Sequence, residues 1–283
     1  MYQNSDSSVE NTIKNEEKDK ETPQEDQKTQ IKSYIQEITF KTSTEDKKRF
    51  FYQPIQKGKT IQMTIRRQKG IFGAFQTIYN LYMSYQNQQF LLSAKKRQKH
   101  YYMIQMNPNY FSKKSTDYIG KIKGNSSKIQ YIIYDNGENP KKCILQEKIR
   151  EEWGIVQQFY DENKQIQIKF IIPGIQNDYQ QYNLKKQSLI EAQNQNKDNF
   201  IQLFKKKQPW YDNFQNFVKD YNGRASIGSV KNMQIYMEND LNNIVLQIGK
   251  DKENEFNIDV KYPFSIFQAY AIALYQFDFT AQI

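Results

Sequence analysis

The sequence predicts a mainly β domain in which antiparallel strands close around an apolar helix. Beyond residue 50, short segments alternate apolar and polar residues and are separated by Gly, Asn, Asp and Pro, which is the pattern of half-buried strands. Near the end of the chain, residues 262–277 are apolar on nearly every face but too short for a helix that spans a bilayer. A helix that is hydrophobic all round has to be enclosed by protein, so we expect the strands to surround it.

The strands are clearest at residues 165–170 and 256–260, where one face is apolar and the other polar. Ten or more such segments without alternating helices imply a mostly antiparallel sheet system, closed or sandwiched. The other predicted strands are 61–67, 78–85, 89–94, 101–106, 118–122, 129–135, 230–237 and 243–248.

Two further stretches favour helices. Residues 188–207 combine helix formers with apolar side chains on one side, which predicts a surface helix. In the apolar stretch, Pro263 lies where a proline suits a first helical turn. Residues 31–40 have apolar positions at helical spacing, and a lead-in to the domain is favoured there over a helix that binds a partner.

The amino-terminal tract differs in composition from the rest of the chain. The first thirty residues carry eight acidic residues against four lysines, a net charge of −4, so a chain of net charge +10 leaves +14 for the remainder. Few of these residues are apolar, and we predict that the tract is disordered. We therefore divide the chain into a polar, acidic tail at 1–45 and one domain at 46–283. The positive charge of that domain indicates an anionic partner: membrane phospholipid, nucleic acid or an acidic protein.

Composition also weighs against an enzyme. Cys143 is the only cysteine, which excludes an internal disulfide, and no apolar run near the start resembles a signal peptide, so we expect an intracellular protein. His100 is the only histidine and has no acidic residue near it in the sequence. The sequence contains neither a P-loop nor a Gly-rich dinucleotide turn. We predict no catalytic residues, no metal site and no cofactor.

Collinear motifs closely resemble the carboxy-terminal domain of the Tubby and Tubby-like family. The most specific is the ending Asp259-Val260-Lys261-Tyr262-Pro263 followed by Phe267-Gln268-Ala269-Tyr270-Ala271 and Phe277-Asp278. Others, in the same order as in the family, are Phe90-Leu91-Leu92, Tyr118-Ile119-Gly120-Lys121-Ile122, Tyr134-Asp135-Asn136-Gly137, Ile172-Pro173-Gly174, Gln208-Pro209-Trp210 and Asn222-Gly223-Arg224. The resemblance implies a closed twelve-stranded antiparallel β-barrel around a hydrophobic carboxy-terminal helix.

The resemblance also implies a binding site for the headgroup of phosphatidylinositol 4,5-bisphosphate. In the family a basic run holds it, together with the basic residue two positions after a Gly-Lys pair. The corresponding residues here are Lys95, Lys96, Arg97, Lys99 and Lys123. Several cations gathered in a small volume suit a headgroup with several negative charges. Taken alone, such a run is typical of a solvated hairpin loop. The family usually has Arg at the position of Lys123, so a forked donor is replaced here by a point charge.

The function implied by the resemblance is docking on the inner face of the plasma membrane. The family further implies an adaptor for membrane-protein traffic into cilia, with intraflagellar transport complex A or other trafficking proteins bound through the amino-terminal region. A transcriptional regulator that binds nucleic acid is the alternative, but the sequence lacks a helix-turn-helix, a zinc module and an RRM motif, which disfavours nucleic acid as the partner. Aromatic residues such as Phe72, Tyr101, Tyr102 and Trp153 are candidates for lipid contact, although core packing is the favoured role of most aromatics in a barrel.

Overall fold

A computed structural model gives the architecture of most of the predicted domain. It describes residues 43–70, 73–85, 88–164, 166–176, 180–181, 188–195, 201–206, 210–211, 217–218, 221–237 and 240–279. The predicted disorder at 1–30 and the amphipathic peptide at 31–40 lie outside the described residues.

Twelve strands form a closed barrel, and every neighbouring pair is antiparallel, which confirms the predicted fold. In order around the barrel they are β1 (Thr60–Gly70), β16 (Glu255–Lys261), β15 (Asp240–Lys252), β14 (Met233–Met237), β11 (Ile201–Lys206), β8 (Ile166–Pro173), β7 (Glu152–Tyr160), β6 (Gln130–Asp135), β5 (Tyr118–Gly124), β4 (Tyr101–Gln105), β3 (Phe90–Gln98) and β2 (Gly73–Met83). Four short strands form two separate pairs: β9 (Ile175–Gln176) with β10 (Gln180–Gln181), and β12 (Trp210–Tyr211) with β13 (Phe217–Val218).

Helix α3 (Ile266–Asp278) fills the barrel. Ser265 and Gln268 form a capping box at its start, and every residue from Ile266 to Phe277 is buried, which confirms the predicted enclosed helix. Among the described residues, no helix is long and apolar enough to cross a bilayer.

A second helix, α1 (Thr44–Tyr52), precedes the barrel and packs against α3. Its start is capped by the Ser43 side chain, which accepts a hydrogen bond from the Asp46 N–H. The Tyr52 ring stacks on Trp153 at 4.6 Å between centroids and meets Phe267 of α3 edge-on. The helix therefore begins two residues before the predicted domain boundary at 46.

The predicted surface helix at 188–207 is wrong in its second half. Helix α2 (Leu189–Asn194) ends after six residues, and strand β11 follows at Ile201–Lys206. β11 pairs with β8 on one side and β14 on the other, and Phe204 is fully buried. Two free strand edges outweigh the helix propensity of this segment because pairing satisfies its backbone groups and buries the Phe204 ring.

The packing of β5 on α3 determines which residues face outward. A Cβ atom on Gly120 would lie 2.6 Å from Cζ of Phe267, so Gly120 faces the helix. Ile122, two residues further on, is fully buried on the same inner face. Lys121 and Lys123 therefore lie on the outer wall of the barrel.

Candidate functional site

The basic run occupies the end of β3 and the turn that leads into β4, as predicted from the sequence. Lys95 pairs with Met103 across these strands, and Lys96 pairs with Tyr102. The Tyr102 side chain is 1% exposed and lies inside the barrel, so Lys96 points inward and Lys95 outward. Lys99 is exposed in the turn.

One row of cross-strand neighbours places basic and aromatic residues side by side on the outer wall. Lys95 pairs with Met103, Met103 with Lys121, and Lys121 with Tyr134 of β6. At the usual strand spacing, Lys95 and Lys121 lie about 10 Å apart along this row. Lys123 follows Lys121 on the same face of β5, about 7 Å further along the strand.

Two cations lie over the ring of Tyr134. The guanidinium carbon of Arg150 is 4.1 Å from the ring centroid, and Nζ of Lys121 is 5.4 Å from it. Arg150 comes from the segment between β6 and β7, so residues distant in the sequence meet at this ring.

The segment that joins β4 to β5 adds an aromatic residue and another lysine. Arg97 donates a hydrogen bond to the Phe111 carbonyl oxygen at 2.6 Å, and Nζ of Lys95 lies 5.8 Å from the Phe111 ring centroid. Nζ of Lys113 lies 5.5 Å from the Tyr101 ring centroid. This segment therefore forms one side of the same surface.

We call this surface the basic wall and define it by six cations: Lys95, Arg97, Lys113, Lys121, Lys123 and Arg150. None of them belongs to an ion pair within the described part of the chain. The carboxylates nearby are engaged with backbone groups. Asp135 accepts hydrogen bonds from the N–H groups of Gly137 and Glu151, and Glu152 accepts one from the N–H of Leu189. The wall therefore has a surplus of positive charge.

Lys121 is only 8% exposed, so burial and the neighbouring cations both act on its charge. Burial, followed by the positive charges of Arg150 and Lys113, lowers the pKa of Lys121 to about 8. Burial raises the pKa of the Asp135 carboxyl to about 6, although two backbone N–H groups stabilise its charged form. An anion placed on the wall would relieve the repulsion.

Two phenol hydroxyls beside the wall are buried and have no hydrogen-bond partner among the described residues. They belong to Tyr101 and Tyr118. Burial, followed by the proximity of Tyr101, raises the pKa of Tyr118, which therefore stays a neutral donor at physiological pH. Buried hydroxyls ordinarily have a hydrogen-bond partner, so these two are exceptions within the described part of the chain.

Lys96 does not join the basic wall. Its Nζ lies 2.5 Å from Oδ1 of Asp278, at the end of α3 inside the barrel. His100, Tyr102 and Tyr131 also bond to the Asp278 carboxylate, which is 4% exposed. This cluster ties the β3–β4 hairpin to the central helix.

Sequence reasoning missed three members of the basic wall. Lys121 could have been predicted from the sequence, because strand periodicity places it on the same face as Lys123. Lys113 and Arg150 gave no local signal, since only the folded chain brings their segments to β5.

Comparison with known proteins agrees with this architecture. The family model described as "Tub family" matches residues 51–279, which include the barrel and the basic wall. The chain belongs to the Tub family. It is 32% identical over 246 residues to Tubby-related protein 3 of Mus musculus, and 28% identical over 250 residues to Tubby-related protein 1 of Homo sapiens. It is 30% identical over 246 residues to Protein king tubby of Drosophila sechellia.

These alignments cover 81–83% of this chain but 46–54% of the relatives, so the chain spans about half the length of the Tub-family proteins that it matches. Within the described residues, no group of three His, Cys, Asp or Glu side chains is arranged to hold a metal ion.

Proposed function

We propose that this Tub-family chain binds phosphoinositides and docks on the inner face of a membrane. The observation that supports it is the basic wall, where six cations gather on one outer surface without carboxylate partners among the described residues. Keeping like charges together costs free energy, and a ligand with several phosphate groups offsets that cost.

The arrangement suits phosphatidylinositol 4,5-bisphosphate better than a lipid with a single charge. Arg150 offers a forked guanidinium that can grip one phosphate group through two hydrogen bonds. Lys121 and Lys123 supply point charges on the same face of β5. We propose these three as the centre of the site, with Lys95 and Lys113 at its sides. Lys96 is left out because it is paired with Asp278. Lys99 is left out because it lies exposed in the turn between β3 and β4, so its proposed contribution is long-range attraction.

We further propose that membrane docking serves an adaptor role in the transport of membrane proteins, including transport into cilia. In this proposal the lipid supplies the address at the plasma membrane, and the region before the barrel joins intraflagellar transport complex A or another trafficking protein. The proposal involves no catalysis.

The test compares binding of the full chain to three kinds of vesicles: neutral phosphatidylcholine, phosphatidylcholine with phosphatidylinositol 4,5-bisphosphate, and phosphatidylcholine with phosphatidylserine at equal total charge. Strong binding to the bisphosphate vesicles alone is expected. The variant Lys121→Ala/Lys123→Ala/Arg150→Ala should lose this binding and remain folded.

A matched control removes the same charge elsewhere. Lys164, Lys252 and Lys261 are exposed and lie outside the basic wall, so their replacement by Ala should reduce binding only slightly. Equal binding to both acidic vesicles would reject a specific headgroup site. Tight binding to duplex DNA that persists at physiological salt would favour the nucleic-acid alternative, because nonspecific binding to DNA weakens steeply with salt.

A further inference from the structure

The loop between β6 and β7 presents two apolar side chains to solvent at its tip. Ile144 is 97% exposed, the highest value among the large hydrophobic residues that the structure describes, and the adjacent Leu145 is 50% exposed. Single exposed apolar residues are common on protein surfaces, but an adjacent pair at the tip of a long loop is not explained by the packing of the barrel.

The loop holds these side chains outward through its own backbone bonds. Before the tip, the Lys142 N–H donates to the Asn139 carbonyl oxygen at 2.8 Å and closes a turn. After the tip, residues Gln146–Lys148 form one turn of 3₁₀ helix, in which the Lys148 N–H donates to the Leu145 carbonyl oxygen at 3.0 Å. The tip therefore lies between two ordered turns.

The base of the loop is joined to the basic wall. The Glu138 N–H donates to the Lys148 carbonyl oxygen at 2.7 Å, and the Arg150 N–H donates to the Glu138 carbonyl oxygen at 2.9 Å. The same Arg150 places its guanidinium over Tyr134 in the wall. A ligand held by Arg150 is thus coupled to the position of the loop.

The charges of the loop complement an anionic surface. Three exposed lysines surround the apolar tip, Lys141, Lys142 and Lys148, against two glutamates, Glu138 and Glu147. Apolar side chains flanked by lysines suit the boundary between lipid headgroups and acyl chains, where the apolar atoms leave water and the ammonium groups stay near phosphate.

We propose that Ile144 and Leu145 form a wedge that enters an anionic bilayer while the basic wall holds a phosphoinositide of the same leaflet. The wedge rests on the proposed function, and it adds a second, hydrophobic contact to the electrostatic one. The occupant of this surface is the bilayer itself. If the chain binds the vesicles while a label beside the tip stays in water, the wedge is overturned and the tip is left for a protein partner.

The position of the only cysteine provides a direct test of insertion. Cys143 adjoins Ile144, so a polarity-sensitive fluorophore can be attached there in the full chain without any substitution. We expect a blue shift when vesicles containing phosphatidylinositol 4,5-bisphosphate are added, and quenching by lipids that carry a quencher in the upper part of the acyl chain.

The matched control moves the label to the opposite end of β7. Tyr160 is 66% exposed, and the nine residues of β7 separate it from the loop by about 26 Å along the strand. In the variant Cys143→Ser/Tyr160→Cys, the fluorophore should report water in the presence of the same vesicles.

A second experiment separates the wedge from the headgroup site. The variant Ile144→Ser/Leu145→Ser should bind bisphosphate vesicles about tenfold more weakly, because two apolar side chains no longer leave water. Its affinity for soluble inositol 1,4,5-trisphosphate should equal that of the unmodified chain. The control Ile129→Ser/Tyr160→Ser removes two other exposed apolar side chains and should leave both affinities unchanged.

The outcomes of these experiments distinguish a failure of the wedge from a failure of the headgroup site. A label at Cys143 that stays in water, or unchanged vesicle affinity of the double variant, would overturn the wedge while retained trisphosphate binding preserves the headgroup site. A parallel loss of trisphosphate binding in the double variant would mean that the loop shapes the site and would also overturn the wedge. Absence of both trisphosphate and vesicle binding in the unmodified chain would reject both proposals.

Discussion

Lys121 has an unusual environment for a lysine on the outer wall of a barrel. It is nearly buried and is surrounded by Arg150, Lys113 and Lys123, and its pKa falls to about 8. A lowered lysine pKa means that the folded protein disfavours the charged form, so folding becomes more favourable as pH rises through about 8 toward the ordinary value. A bound polyanion acts in the opposite direction and stabilises the charged form.

Headgroup affinity should therefore depend on pH. Above about pH 8 the free protein loses the Lys121 charge, while the phosphate groups of the ligand, with a second pKa of about 6, are already ionised. We expect the affinity for soluble inositol 1,4,5-trisphosphate to fall between about pH 7 and about pH 9, as measured by calorimetry. In Lys121→Arg, the side chain keeps its charge and the decline should be much smaller. Identical pH profiles would show that another group controls binding.

Asp278 is the opposite case, a carboxylate held inside the barrel in its charged form. Burial acts to raise its pKa, but hydrogen bonds from Lys96, His100 and Tyr131 outweigh burial and lower the pKa to about 2. Since the pKa is below the ordinary value of 3.8, the carboxylate contributes stability at higher pH and loses that contribution as pH falls toward 2.

Replacing Asp278 by Asn should cost about 3 kcal/mol of unfolding free energy at neutral pH, because Lys96 is left as an unpaired cation in a mostly buried site. Urea unfolding measures the change. Glu255→Gln is the comparison, since it breaks the more exposed pair with Arg66 and should cost less than about 1 kcal/mol. Equal losses in the two variants would mean that the Asp278 cluster adds no special stability.

The candidate site residues show what the sequence predicts and what it does not. The sequence identified Lys95 and Lys123, which the structure brings onto one surface, but it gave no reason to distinguish Lys96 from Lys95. The two differ because strand alternation sends Lys96 inward to Asp278. Arg150 could not be predicted from pattern, because its place over Tyr134 depends on how a loop returns to the barrel.

Among the elements, strand β5 determines how closely the helix approaches the barrel wall. At Gly120, a Cβ atom would lie 2.3 Å from the Tyr134 carbonyl oxygen and 2.6 Å from Cζ of Phe267. Neither neighbour has room to withdraw, because one is backbone in a paired strand and the other is a buried ring of α3. The glycine therefore permits both the β5–β6 pairing and the seating of the helix.

Gly120→Ala should lower the unfolding free energy by about 1–3 kcal/mol through overpacking. The strand also carries Lys121, so headgroup affinity should fall in the same variant. Gly228→Ala is the control, because a Cβ atom there has no neighbour within 4 Å. Thermal unfolding of the two variants tests the prediction, and unchanged stability of Gly120→Ala would show that the helix can shift at little cost.

Secondary structure was predicted correctly where one face of a segment is buried. It was predicted wrongly where pairing with neighbouring strands determines the structure. The alternating segments at 118–122 and 256–260 became β5 and β16, and the apolar stretch at 262–277 became the enclosed helix α3. The segment at 188–207 carried a helix-like composition throughout, yet its second half is β11 because β8 and β14 offer edges there. Such long-range pairing is not encoded in local periodicity.

For the whole molecule, the amino-terminal tract and the rest of the chain carry net charges of opposite sign. Residues 1–40 have a net charge of −4, the same as the first thirty, so the rest of the chain carries +14. All six cations of the basic wall lie in the barrel segment. The predicted boundary at 46, however, removes Ser43, whose side chain caps α1.

A fragment of residues 41–283 should therefore bind vesicles with phosphatidylinositol 4,5-bisphosphate at least as tightly as the full chain, with a steeper loss of affinity as salt is added. It keeps the basic wall and the cap of α1, and it lacks the net charge of −4 of residues 1–40, which an anionic membrane repels. A fragment of 46–283 should bind equally well but be about 1 kcal/mol less stable, because α1 loses its capping side chain. Sedimentation with vesicles across a salt series and urea unfolding measure the two effects. If the 41–283 fragment lost most of its affinity, residues 1–40 would have to contact the membrane themselves, and the basic wall would not suffice for docking.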